Sequence, residues 1–75
     1  MYHTIEFAEN VELDLETSAR HPLEQVAFQK GTRLPAQVRP YVVEGEDGPV
    51  EMADLFFEDG TAVRGVPFAF LTFAD

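Results

Sequence analysis

The feature that most constrains this chain is a period of two in its first segment. Ile5, Phe7, Val11, Leu13 and Leu15 stand at odd positions, and Thr4, Glu6, Asn10, Glu12, Asp14 and Glu16 at even ones. Successive side chains of a strand point to opposite faces, so the pattern describes a sheet with one buried side and one wet side. Ala8-Glu9-Asn10 reads as a turn or bulge between two strands.

Such a sheet must be held by packing alone. The chain has 75 residues and no cysteine, so disulfides, thiolate metal sites and cysteine nucleophiles are excluded. Its length suits one domain over residues 1–75. At this size only roughly 60% of the unfolded surface is buried, which leaves a thin core. Seven phenylalanines and two tyrosines fit that need, because each buried ring removes a large apolar area from water. The absence of cysteine suits a reducing cytoplasm. Met1 to Glu6 shows no basic stretch followed by an apolar run, so no signal peptide is expected. The densest apolar stretch, Val66 to Ala74, is too short to span a membrane.

The rest of the chain also reads as short strands between turn signals. Pro22 allows a single helical turn through Leu23-Glu24-Gln25, followed by a strand at Val26-Ala27-Phe28. After Gln29-Lys30-Gly31, a strand starts at Thr32, with Leu34, Ala36 and Val38 on one face and Arg33, Gln37 and Arg39 on the other. Pro35 and Pro40 cannot donate to a ladder, so this strand is expected at an edge or broken by bulges. It continues through Tyr41-Val42-Val43 into an acidic, glycine-rich loop expected over Glu44–Pro49.

Asp59-Gly60 between apolar segments marks a hairpin. A two-residue loop would set Leu55 opposite Arg64. A three-residue loop with a left-handed Gly60 sets Phe57 opposite Thr61, Leu55 opposite Val63 and Asp54 opposite Arg64. The second register is preferred, since it gathers Ala53, Leu55, Phe57 and Val63 on one face and makes an opposite-charge pair. Phe56 then lies on the outer face beside Ala62. Phe28-Gln-Lys-Gly-Thr-Arg-Leu34 echoes Phe57-Glu-Asp-Gly-Thr-Ala-Val63, so two glycine-turned hairpins of one barrel are expected. Val66 to Ala74, apolar on both faces, reads as a covered or barrel-closing strand.

These strands predict an all-β fold, a small SH3-like β-barrel of five to seven short antiparallel strands, with the one helical turn at residues 22–25. Gly65-Val66-Pro67, following a hairpin, resembles the end of SH3 domains. The resemblance covers this corner only. The aromatic groove of that family uses a tryptophan, and this chain has none, so proline-rich peptide binding is not carried over.

Charge narrows the choice of partner. Fourteen acids face five bases, a formal charge of −9 that repels nucleic acid and anionic membranes. The bases cluster: Arg20, Lys30, Arg33 and Arg39 lie between two acidic ends. Glu12, Asp14 and Glu16 share one strand face, spaced too widely to wrap a cation. They are expected to be solvated or to meet the Arg33/Arg39 face. His3 and His21 have no metal-ligand spacing, and neither a nucleophile elbow nor a phosphate-binding loop is present. Catalysis and cofactors are therefore not expected. Arg33 and Arg39 with Tyr41 could form a small nucleic-acid face, which the net charge opposes.

Two functions remain. The first is a non-enzymatic protein-interaction module that binds a partner or a second copy through a proline-marked edge and outward aromatics. Its candidate residues are Phe56, Arg33, Arg39 and Tyr41. The second is an acidic decoy that imitates nucleic-acid phosphates and blocks a basic protein, using Glu6, Glu12, Asp14 and Glu16.

Overall fold

A computed structural model describes residues 1–17 and 23–75. Its strands are β1 (His3–Phe7), β2 (Val11–Glu16), β3 (Glu24–Phe28), β4 (Arg33–Gly45), β5 (Gly48–Phe57), β6 (Ala62–Pro67) and β7 (Leu71–Phe73), with a 3₁₀ turn at Phe68–Phe70 between β6 and β7. All pairings are antiparallel, in the order β3-β2-β6-β5-β4-β1-β7. The sheet curls into a half-barrel, consistent with the small β-barrel expected. No helix among the described residues is long and apolar enough to cross a membrane.

The period-two segment forms the concave wall as expected. Ile5, Phe7, Ala36, Ala53, Leu55, Val63, Val66 and Leu71 make one core, and Val11, Leu13 and Leu15 pack against it. Phe28 stacks on Phe7 with ring centroids 4.6 Å apart.

The preferred hairpin register is found. Leu55 pairs with Val63 and Phe56 with Ala62, and the Phe57 N–H donates to the Thr61 carbonyl at 2.9 Å. Gly60 supplies the left-handed residue at φ +88°. Gly31 has nearly the same φ, +87°, so the echo is one of local backbone. It is not one of topology: β3 and β4 do not pair. The first turn instead hands the chain from one side of the barrel to the other, anchored by bonds from Gly31 N–H to the Phe7 carbonyl (2.8 Å) and from Phe7 N–H to the Thr32 carbonyl (3.0 Å).

Four further expectations are corrected. The helical turn is absent at Glu24 and Gln25, which pair with Leu15 and Asp14 in β3; Pro22 lies outside the described residues. The acidic loop shrinks to Glu46-Asp47, because Glu44 and Gly45 pair with Pro49 and Gly48. The apolar C-terminal strand breaks at the 3₁₀ turn, which carries the chain to β1. Finally, β4 is an interior strand. β1 covers it over Arg33–Ala36 and β5 over Ala36–Gly45. Pro35 and Pro40 each stand where β4 has one partner only, so the proline rule holds locally although the strand is not at the edge.

A bulge sets the curl. Ala53 pairs with Val66 and Leu55 with Val63, so Asp54 alone faces both Arg64 and Gly65. Gly65 takes φ +72° there. The extra residue re-phases β6, which is why Val63 and Val66, three apart, are both fully buried.

Leu55 lies at the centre of this core, and its truncation should test how thin the core is. Leu55→Ala is expected to lower unfolding free energy by about 2–5 kcal/mol, a large share of the stability of so small a domain. Gly60→Ala should cost about 1–2 kcal/mol through its left-handed backbone. Urea denaturation followed by circular dichroism measures both.

Candidate functional site

Several predicted site residues converge on the convex face, in a polar ladder across β4, β5, β6 and β2. Arg39 pairs across strands with Asp54. The buried Asp54 carboxylate accepts from the Gly65 N–H at 3.0 Å and, more weakly, from Arg64 Nη1 at 3.5 Å. Arg64 Nε donates to Glu16 Oε2 at 3.0 Å, and the same guanidinium lies 5.3 Å from the centre of the Phe56 ring. Phe56 is thus half-buried under a cation and is not an open apolar anchor. The Tyr41 hydroxyl is held above its ordinary pKa, first by the loss of surrounding water and then by the adjoining Asp54 carboxylate. Asp54, Arg64 and Glu16 satisfy one another within the chain, which marks them as a structural network, while Arg39 joins the ladder by strand register alone.

The carboxylate row is divided by the same contacts. Glu6 holds Arg33 Nε at 2.7 Å, and Glu16 holds Arg64. Glu12 and Asp14 are exposed on β2 and make no ion pair among the described residues. Arg33 is ion-paired with Glu6 of β1, whereas Arg39 lies opposite Asp54 in register and makes no ion pair among the described residues. No group of three or more metal-binding side chains occurs among the described residues.

The sequence reading missed a second arrangement, at the open end of the half-barrel. Leu15, Phe28, Leu34, Pro35, Phe57 and Thr61 line an apolar groove of about 300 Å³, with Glu58 and Asp59 at its rim. Phe28 and Phe57 lie 6.4 Å apart across it. The groove draws residues from four separate strands and a turn, so no local motif announces it. Phe28 ends β3, an edge strand that pairs with β2 on one flank over Glu24–Phe28 and, among the described residues, has no partner on the other.

The remaining open flanks are protected. Beyond Tyr41 and Met52, β4 and β5 continue as a two-stranded arm that exposes Val42, Val43 and Val50. Pro49 lies within it and Pro40 just before it, and Glu44, Glu46, Asp47 and Glu51 charge it. The other edge strand, β7, is three residues long. β3 has neither proline nor lysine, and its centre is Val26-Ala27.

A scan against protein-family models gives no match, and neither curated proteins nor solved structures show a significant one.

The ladder and the turn carboxylates lead to separable outcomes. Asp54→Ala strips the Gly65 N–H of its partner and should cost about 1–3 kcal/mol, whereas Glu16→Gln, at an exposed pair, should cost below about 1 kcal/mol; thermal denaturation of both variants checks the order. Asp59 titrates below the usual carboxylate range, chiefly because the Thr61 hydroxyl and N–H donate to it, and Asp75 does so chiefly through its bond with His3. Folding lowers both values, so the stability they add is complete above the ordinary carboxylate range and is lost as pH falls through the lowered ones. The Thr61 and Thr4 amides, which donate to Asp59 and Asp75, should therefore exchange faster as pH drops below about 4 than the intrinsic pH dependence allows, as read by NMR.

Proposed function

We propose that this chain is a non-enzymatic cytoplasmic protein-interaction module, one that takes an extended segment of another protein as an added strand along β3. The observation that carries the reading is the contrast between edges. The arm carries Pro49 and four carboxylates and β7 is cut short, while β3 presents five residues of open backbone ending on the groove at Phe28. Strand addition draws affinity from main-chain hydrogen bonds and specificity from pockets that receive alternate side chains, and edge and groove together offer both. The proline-marked strand β4 and the outward aromatic Phe56 lose this role, because Pro40 interrupts the first and Arg64 covers the second. The SH3-like likeness rests on size, strand content and the Gly65-Val66-Pro67 corner, and it adds no ligand.

The acidic decoy stands as a second reading, favoured by the exposed Glu12 and Asp14 and the charge of −9. It is weakened by the pairing of Glu6 and Glu16 with arginines of the chain itself.

Selection of binders from a random-peptide phage library, followed by amide shift mapping, tests the reading without presuming a partner. Selected peptides should move the amides of residues 24–28 together with Leu34, Phe57 and Thr61, and should hold at about 1 M salt, where screening extends to about 3 Å. Shifts confined to the convex face or to the arm would overturn it. Binding at Glu12 and Asp14 that vanishes in salt would favour the decoy.

A further inference from the structure

We infer that the segment recognised by β3 is basic and alternating, with aliphatic side chains on its inward face and lysine or arginine on its outward face. The inference rests on the strand-addition reading and specifies the chemistry of the partner.

The alternation follows from register. Val26 pairs with Leu13 and Phe28 with Val11, so these β3 residues share the core-facing side of the sheet. Gln25 pairs with Asp14 and Ala27 with Glu12 on the convex side. A strand added to β3 places every second side chain beside Val26 and Phe28, where the apolar groove begins. The other side chains lie beside Gln25 and Ala27, which are neutral. The strand after β3 is β2, and its Glu12 and Asp14 then stand about 10 Å from the added backbone. The summed reach of a lysine and a carboxylate side chain spans that gap, and Ala27 is too short to block it. At the groove mouth, Glu58 and Asp59 present two more carboxylates. Glu24, at the head of β3 itself, adds a fifth carboxylate, and Lys30 lies two residues past the strand's end.

A second copy of this chain fits poorly in the same place. Two β3 strands paired about a two-fold axis would bring two bodies of charge −9 together and set one Glu12/Asp14 row near the other. Like charges in that arrangement oppose association.

Three capped nonapeptides, alternating valine with lysine, with serine or with glutamate, provide the test. Each is titrated into the isotopically labelled chain at low salt and followed by amide shifts and fluorescence anisotropy. The lysine peptide is expected to shift residues 24–28 and the groove, and to bind roughly tenfold tighter than the serine peptide. That margin should shrink toward parity at about 1 M salt, with the glutamate peptide weakest at low salt. Replacing Glu12→Lys together with Asp14→Lys, both exposed, should reverse the order of the charged peptides while leaving the fold intact by circular dichroism. Equal affinity of the lysine and serine peptides at β3 overturns the charge inference and leaves strand addition standing. No shift at β3 with any peptide up to about 1 mM overturns both. A dimer in sedimentation that buries β3 amides replaces the basic partner with a second copy.

Discussion

The half-barrel depends on one buried carboxylate. Asp54 sits where β6 carries an extra residue, and its oxygens accept from the Gly65 N–H and from Arg64. The bulge leaves a backbone donor outside the ladder, and a donor without a partner at a buried site is costly. Asp54 satisfies it. Arg64 offsets the charge and in turn reaches Glu16 and covers Phe56. One residue thereby couples the bulge, the curl of the sheet and the docking of β2. The docking has little else in the way of pairing, since among the described residues β2 pairs with β6 at Leu15 and Glu16 alone. The Arg64–Glu16 pair straddles that seam, and across the interior Phe28 of β3 stacks on Phe7 of β1.

A half-barrel keeps edges that a closed barrel would remove, and the chain treats them unequally. Pro49 lies within the arm where β4 and β5 stand alone, acidic side chains charge it, and β7 stops after three residues. β3 has no proline and a single acid, Glu24 at its start, and it ends on the apolar groove. The unequal treatment gives that groove and edge their interest. On the proposed strand-addition reading the acidic field acts as a filter, since Glu12, Asp14, Glu58 and Asp59 border the path the added strand would take.

Much of the fold was legible because its signals are local. The alternation from Ile5 to Leu15 needs only the pleat of a strand, and the Asp59-Gly60 register needs only the backbone freedom of glycine and the pairing of Leu55 with Val63. The misreadings were those in which a distant strand decided the outcome. Pro22 promised a helical turn, but Glu24 and Gln25 found partners in β2. Glu44 to Pro49 had the composition of a loop, yet Gly45 and Gly48 pair and only two residues turn. Phe56 read as an outward anchor because the guanidinium above it comes from the neighbouring strand, at a distance along the chain set by the bulge.

The sequence by itself determined the class: all-β, held by apolar packing without disulfides, strongly acidic, with glycines at the left-handed turns. These follow from side-chain period, composition and backbone sterics, which act within a few residues. Only the tertiary structure decided that β4 is interior, that the two echoed glycine turns serve different connections, and that the carboxylate row is split between internal pairs and exposed acids. It alone assembled the groove from Leu15, Phe28, Leu34, Pro35, Phe57 and Thr61. The reason is physical: a concave site and an open edge are properties of strand order and curl, and both are settled by pairings between residues far apart in the chain.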